Sequence, residues 1–415
     1  MERLKGIYQN GIIFLKWVGI AILLGAVVGI VGCAFYCSLV IVEVIRLWKT
    51  WIIYLLPLAG IVIVFLYRKL AKGTRQDTNL VLLAVRSEES VPFRMTPLIF
   101  ISTIITHLFG GSAGREGAAL QMGGSIGQAF GKLFKLDTKD MNIITMCGMS
   151  ACFAAVFGTP IAAAIFSLEV VSVGVMYYAA LVPCAVSALT ATVISHWLGI
   201  EHIWNGVASI PALSPVPMVQ VAIVGGACAV VSYIFCKTLG KTNQLGEKFI
   251  KNDYLRTVCG ACIIIVITLL IGTRDYLGAG TDVIQRALNG DAHPLAFVFK
   301  IVFTSITLAA AFKGGEIVPS FFIGATFGAV AGPIIGLDAS FCAALSMVAV
   351  FCGVTNCPIT SFLIGVELFG MDLAPFLLII CSVSYMLSGY TSLYSKQKIM
   401  YSKFRSEFIN ETAKK

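Results

Sequence analysis

Between Met141 and Ile200 the chain carries one formally charged residue, Glu169. A soluble segment of that length could not hide so much apolar surface from water. The rest of the sequence shares this constraint. Hydrophobic residues make up 58% and charged residues 12% of the 415 positions, about half the roughly 25% charge of soluble domains. Mean hydropathy is +0.90. Length alone would allow two or three soluble domains, but the composition excludes them. A membrane β-barrel would need alternating segments of about ten residues, whereas the apolar runs here are continuous. The expected fold is all-α: a polytopic membrane protein forming a single transmembrane domain over residues 1–415.

The net charge of +9 does not point to nucleic acid, because the basic residues sit at the ends and in connectors. Arg3 and Lys5 precede the first apolar run, Arg68, Lys69, Lys72 and Arg75 fill a connector, and the tail runs from Lys396 to Lys415. This is the positive-inside pattern, which places both termini, as short tails, and the 68–75 connector in the cytosol. The run Trp17–Val42 is too long for a signal core of ~7–15 residues, so it is read as the first membrane helix. The 13 cysteines lie mostly inside apolar runs, where Cys behaves as a small hydrophobe. Cys259 and Cys262 have redox spacing but sit in a membrane run. His107, His196, His202 and His293 are scattered. With no metal-ligand or nucleophile constellation, the sequence implies no enzyme, no metal and no cofactor.

A helix needs about 20 residues to cross a hydrocarbon core of ~30 Å. Segments 17–42, 51–67, 216–236, 257–272 and 296–312 are read as crossings. Others are interrupted: an apolar run from Thr96 to Phe109 breaks at Gly110–Gly114, a Gly-rich stretch covers 117–131, and 313–336 repeats that style. Interrupted helices are tolerated at membrane depth only where backbone is buried in protein or lines an aqueous path. The interruptions also repeat. Pro160 followed by Glu169 resembles Pro358 followed by Glu367, an offset of 198. Gly114-Arg115-Glu116 resembles Gly314-Gly315-Glu316, an offset of 200. Two halves are expected, about 75–200 and 275–395. Paired, Gly-interrupted segments of this kind mark the midplane site of a transporter.

A carboxylate near the centre of a membrane helix costs ~2.5–3.5 kcal/mol on insertion scales, so Glu116, Glu169, Glu316 and Glu367 each need a reason. Glu169 and Glu367, nine residues beyond their prolines, suit an architectural role, satisfying amides in the bundle. Glu116 and Glu316 instead follow glycine clusters and open apolar helices. A helix start leaves about four N–H groups unpaired and carries a partial positive charge. Two such starts at mid-membrane form an anion site without a full cation. Pro319, near the start of its helix, loses little by lacking an N–H. A glutamate beside the site can act as a tethered anion that competes with the transported ion, and as a neutral acid it withdraws.

These residues resemble the CLC chloride channel and transporter family. Gly114-Arg115-Glu116-Gly117-Ala118 looks like its gating-glutamate motif, and Gly315-Glu316-Ile317-Val318-Pro319 like its G-x-F-x-P motif. Both Pro-to-Glu helices have counterparts there. Tyr394 is similar to the tyrosine whose hydroxyl touches the central anion. The resemblance covers about residues 15 to 400. It implies inverted repeats of broken and tilted helices and a homodimer in the bilayer with one pore per subunit. It also implies no cofactor and a multi-pass protein of a bacterial plasma membrane. Glu116 and Glu316 are then the gating and proton-transfer residues. Gly117, Ile317, Val318, Tyr394 and Asn79 are then the anion-binding residues. Gly114, Arg115, Pro319, Glu169 and Glu367 complete the structural motifs.

The departures bear on substrate. The family's G-S-G-I-P loop falls near 76–80, where this chain reads Gln76-Asp77-Thr78-Asn79-Leu80. The internal proton glutamate of the chloride/proton exchangers, just after the Glu169 position, is Val170. A carboxylate, Glu316, sits inside the G-x-F-x-P element, as in the bacterial fluoride/proton antiporter branch. Val318 stands where that branch often has threonine, and segment 76–86 lacks the phenylalanines expected of a fluoride path. The expected function is fluoride export in exchange for protons. The alternative is a chloride channel or chloride/proton exchanger of the same fold.

Overall fold

The computed structural model describes residues 2–71, 78–200, 207 and 209–414, with side chains from residue 8. Lys72, Arg75, Gln76, Asp77, His202 and Lys415 lie outside the described residues, as does position 75, where the first half was expected to begin. Sixteen α-helices run in two successive sets. The first is α1 (Glu2–Trp48), α2 (Leu56–Leu70), α3 (Asn79–Val85), α4 (Met95–Leu108), α5 (Glu116–Leu133), α6 (Thr138–Phe157), α7 (Pro160–Glu169) and α8 (Leu181–Trp197). The second is α9 (Pro215–Phe249), α10 (Asp253–Ile271), α11 (Thr281–Leu288), α12 (Ala296–Ala309), α13 (Ile317–Ile334), α14 (Ala339–Thr355), α15 (Pro358–Phe369) and α16 (Ala374–Leu387). The packing repeats with the order: α5 on α6 as α13 on α14, and α1 on α8 as α9 on α16. The succession of elements takes in α1, α2, α9 and α10, which the sequence reading left outside the two halves as connectors and peripheral helices.

The starts of α4, α5 and α6 lie 201 residues before those of α12, α13 and α14, and the start of α7 lies 198 before that of α15. The change falls in α14, which has 17 residues where α6 has 20. The register corrects the expected 200-residue offset by one. Gly114 matches Gly315, Arg115 matches Glu316, and Glu116 matches Ile317. The carboxylates Glu116 and Glu316 therefore do not occupy equivalent positions.

Why the helices break is local chemistry. α4 and α12 each have 14 residues, about 21 Å at 1.5 Å per residue, too short for a ~30 Å core. α4 gives way at Gly110, φ +91°, and α12 at Ala311, φ +64°. α6 ends in left-handed Gly158 and α14 in left-handed Asn356, two residue types that tolerate that conformation. Pro160 and Pro358 follow, each at the first position of the next helix, where a missing N–H costs nothing. Seven helical stretches among the described residues are long and apolar enough to cross a membrane, and the shorter helices fill the space between them.

The halves are inverted, and Glu169 and Glu367 demonstrate it. Glu367 accepts from the N–H of Ile161 at 2.9 Å and of Ala162 at 2.8 Å, in the first turn of α7. Glu169 accepts from the N–H of Ile359 at 3.1 Å and of Thr360 at 2.9 Å, and from the Thr360 hydroxyl, in the first turn of α15. Each helix ends at the other's start, so equivalent helices run antiparallel. The two carboxylates thus satisfy amides across the repeat boundary.

The C-terminal stretch is not a free tail. β2 (Lys398–Tyr401) pairs in parallel with β1 (Ser172–Val173), which follows α7, and antiparallel with β3 (Phe408–Thr412). Lys403 anchors it, with Nζ donating to Asn356 Oδ1 at 2.6 Å and to the Tyr385 carbonyl at 2.8 Å. This small sheet is the one departure from the all-α expectation among the described residues. Lys300, inside a run read as wholly apolar, is buried with Nζ donating to the carbonyls of Tyr276 at 3.3 Å and Gly278 at 2.8 Å.

Removing either reciprocal carboxylate strands amide donors, at about 1–3 kcal/mol for a buried unsatisfied group. Glu169→Ala loses three donors at a site 5% exposed, and Glu367→Ala loses two at a half-buried one. Both variants should melt earlier in detergent, Glu169→Ala by more. Equal or unchanged melting temperatures would contradict the capping role.

Candidate functional site

The site forms where the interrupted helices of the two halves meet. Gly114 and Gly315 pair as an isolated antiparallel bridge. Gly114 N–H donates to the Gly315 carbonyl at 2.7 Å, and Gly315 N–H donates back at 2.6 Å. Their closeness excludes side chains: a Cβ on Gly315 would lie 2.6 Å from the Gly117 nitrogen, and one on Gly117 would lie 3.0 Å from the Gly315 Cα. The bridge fixes the starts of α5 and α13 against each other.

Glu116 opens α5 and is fully buried. Its Oε2 accepts from the Arg115 N–H at 3.2 Å, and its Oε1, 3.5 Å from Arg115 Nε, has no hydrogen-bond partner. The Arg115 guanidinium stacks on Tyr36 of α1, 4.6 Å from the ring centroid. The carboxylate is turned toward the start of the other half's helix. A Cβ built on Gly114 would lie 3.2 Å from Glu116 Oε2, 3.0 Å from the Val318 nitrogen and 2.9 Å from Pro319 Cδ. Ile317 and Val318 are the first two residues of α13, whose N–H groups have no intrahelical acceptor. An anionic carboxylate against these donors is what a positively polarised helix start favours.

Tyr394 is buried, and its hydroxyl has no hydrogen-bond partner. Its backbone is held by Ser392 Oγ, 3.1 Å from its nitrogen. Glu116 and Glu316 are both within electrostatic reach of the hydroxyl. Asn79 begins α3, and its Oδ1 accepts from the Lys396 N–H at 3.0 Å. Its carbonyl end therefore braces the segment that carries Tyr394.

Glu316 sits just before α13, half-buried, on a cleft of about 370 Å³ with Lys313, Thr78 and Gln121. The Lys313 ammonium lies 4.5 Å from the centroid of Tyr67 on α2. The Val170 position holds no titratable group. Gln397 Nε2 donates to the Val170 carbonyl at 3.0 Å and to the Thr355 carbonyl at 2.7 Å, and its Oε1 accepts from Asn356 at 3.1 Å. Gln397, Thr78 and Gln121 escaped the sequence reading, because neutral amides and hydroxyls carry no signal until their partners are known. Aromatic rings, sought in 76–86, lie elsewhere. Phe157 at the end of α6 stacks on Phe321 of α13 with centroids 5.2 Å apart, and Phe321 on Phe351 at 5.1 Å. No cluster of three or more metal-ligating side chains occurs among the described residues.

Comparison with known proteins agrees with this geometry. The family described as "Voltage gated chloride channel" matches residues 59–389. A "Chloride/fluoride channel protein" of Pseudomonas syringae pv. tomato is 34% identical over 395 residues, covering 94% of this chain and 87% of that protein. An "H(+)/Cl(-) exchange transporter" of Vibrio cholerae is 24% identical over 297 residues, covering 66% of this chain and 62% of that protein. Among solved structures, a "CLC-type fluoride/proton antiporter" superposes with a TM-score of 0.90 at 33% identity, over 93% of this chain and 98% of that one. A "slow cyanobacterial Cl-/H+ antiporter" reaches 0.79 at 19% identity over 90% of this chain and 94% of that one, a likeness of fold.

The glycine bridge is the feature most easily broken. Gly315→Ala places a methyl against the Gly117 backbone, which cannot yield as a side chain would. Overpacking of this kind costs about 1–3 kcal/mol and splays the helix starts. The expected result is a folded, earlier-melting protein whose anion flux in liposomes is lost. Normal flux in Gly315→Ala would mean that the close approach is dispensable.

Proposed function

This chain belongs to the voltage-gated chloride channel family, and we propose that within it the protein is a fluoride/proton antiporter that exports fluoride. The observation that carries the reading is Glu116, a carboxylate seated at the meeting of two broken-helix starts, with a second carboxylate, Glu316, beside the same glycine bridge. Fluoride is small and strongly hydrated, so a site must replace its water with short N–H and O–H contacts. The amides of Ile317 and Val318 and the unpartnered hydroxyl of Tyr394 supply such donors. Glu116 occupies that place in the absence of the ion. Protonated, it loses its attraction to the helix starts and yields to fluoride, so each anion passage is tied to a proton. Glu316 passes that proton onward, a task that falls to it because Val170 carries no titratable group. The chlorides named for several relatives make chloride transport by the same site the alternative.

Liposomes loaded with fluoride or chloride, with external pH recorded, separate these readings. Wild-type protein should release fluoride much faster than chloride, and an inward proton gradient should drive fluoride out. Glu116→Ala should abolish proton coupling while leaving an anion leak, or stop transport if the site cannot empty without it. Glu316→Gln keeps the shape and removes the titration. Loss of a proton-transfer group costs on the order of 10²-fold or more, so coupled exchange should fall by that scale. Chloride efflux as fast as fluoride efflux would move the assignment to the chloride alternative.

The protein is a multi-pass membrane protein, and we further propose a homodimer, each subunit holding a complete site, with both termini cytosolic. The faces offered are those of α8 and α16, where Val182, Leu189, Val193, Leu378 and Leu387 are exposed without charge. The mass of the detergent-solubilised protein should be that of two chains. A monomer with full transport would overturn the dimer.

A further inference from the structure

Glu316 does not face the hydroxyl of Tyr394 alone. It lines the cleft of about 370 Å³ that opens between the ends of α2, α9 and α10, far above the ~10–15 Å³ that one water requires. The outer end of the cleft is polar. Asp253, at the start of α10, holds Arg68 of α2 at 3.1 Å and Arg256 at 2.9 Å, and Glu247 of α9 completes the rim. Arg68 and Asp253 are both well exposed there, with 51% and 38% of their side chains accessible. The inner end lies at Glu316, Lys313 and Gln121, beside the glycine bridge.

Gln121 decides what the cleft can carry. Its side chain is only 6% exposed. Its Nε2 donates to Thr78 Oγ1 at 3.2 Å and to the Gly117 carbonyl at 3.3 Å. A backbone carbonyl only accepts, so the orientation of the amide is fixed. Its Oε1 is left buried with no hydrogen-bond partner among the described residues, a costly state that a donor in the cleft would relieve. Water supplies such a donor and a halide cannot. The Glu316 carboxylate beside it also accepts and repels anions. At the rim Asp253 pairs with both Arg68 and Arg256, which offsets their pull on an anion.

We propose that this cleft is a water-filled proton path that serves Glu316, separate from the anion path past Tyr394, with the Arg68–Asp253–Arg256 ion pairs at its mouth. The proposal rests on the relay role of Glu316 given above and adds its route. The proton passes from Glu116 to the Glu316 carboxylate and on along waters to the mouth of the cleft, each transfer breaking one O–H bond and forming another. At Val170 the amides of Gln397 and Asn356 take the place of a carboxylate, and the titratable neighbours are held elsewhere, Lys403 on Asn356 and the Tyr385 carbonyl, and Glu169 on the start of α15.

The test places a thiol on the cleft wall. Ala309 lines the cleft near the end of α12, and Asn243 lines it on α9. Ala309→Cys and Asn243→Cys proteins in liposomes are treated with membrane-impermeant methanethiosulfonates bearing a positive or a negative head, and proton and fluoride fluxes are recorded. Wild type is treated alongside as the control for its own cysteines. Both positions should be labelled, and both labels should slow proton-coupled fluoride exchange about tenfold or more, because they displace water whatever their charge. If neither thiol is labelled, the cleft is dry and the proposal fails. Labelling that leaves exchange intact also overturns it. A negative label that slows fluoride while a positive one speeds it would make the cleft an anion path and sink the proposal. Glu316→Gln measured in parallel keeps the two ideas apart. If that variant is impaired while the labelled cleft is harmless, only the route is wrong. If it exchanges normally, the relay itself is wrong.

Discussion

Two hydrogen bonds between Gly114 and Gly315, at 2.7 and 2.6 Å, set the conditions for everything else in this molecule. Backbone groups at membrane depth cannot be left to lipid. Here each interrupted chain satisfies the other. The bridge needs two strands passing closer than any Cβ allows, which is why glycine stands at 114, 117 and 315. Once it is made, the two helix starts that follow are pinned side by side with their first amides unpaired. That arrangement polarises the middle of the protein positively, alongside the Arg115 guanidinium 3.5 Å from Glu116.

The same physics occurs twice in the fold, with different consequences. At α7 and α15 the carboxylates of Glu367 and Glu169 also sit on helix starts, but each belongs to the opposite helix and is held by two or three donors. Neither can leave without stranding amides, so the pair is mortar between the halves. At α5 the carboxylate of Glu116 opens its own helix and is turned toward the start of α13 without a hydrogen bond to it. One oxygen has a single backbone donor at 3.2 Å and the other has none. A carboxylate held by so few hydrogen bonds suits the exchange with another anion that we propose for it. The difference between architecture and site lies in how many donors hold the carboxylate and from which chain segment they come.

The sequence made the breaks legible because they are written in residues with one physical use. Gly158 with Pro160, and Asn356 with Pro358, announce a left-handed stop followed by a helix start. The Pro-to-Glu spacing announced two equivalent architectural carboxylates, though not that each caps the other's helix. The register at the bridge was misread by one residue, since in Gly314-Gly315-Glu316 the two adjacent glycines look alike and only pairing distinguishes them. Gln121, Gln397 and Asn356 were invisible for another reason. Each is meaningful through a partner far along the chain, as Gln397 is through Val170. Lys300 was passed over inside an apolar run, where its carbonyl acceptors at Tyr276 and Gly278 could not be foreseen.

The corrected register carries the last step. A strict inverted repeat treats both faces of the membrane alike. At the crossing the chain departs from it: Arg115 of the first half is matched by Glu316 of the second, and Glu116 by Ile317. Arg115 stacks on Tyr36 of α1, and Glu316 lines a cleft that reaches Asn243 and Glu247 of α9, the equivalent of α1. The two positions therefore address corresponding surroundings on opposite sides, one with a cation and one with a carboxylate. Symmetric backbone supplies a site that both sides can approach. Asymmetric side chains give those approaches different chemistry, which is what tying an anion to a proton moving the other way requires.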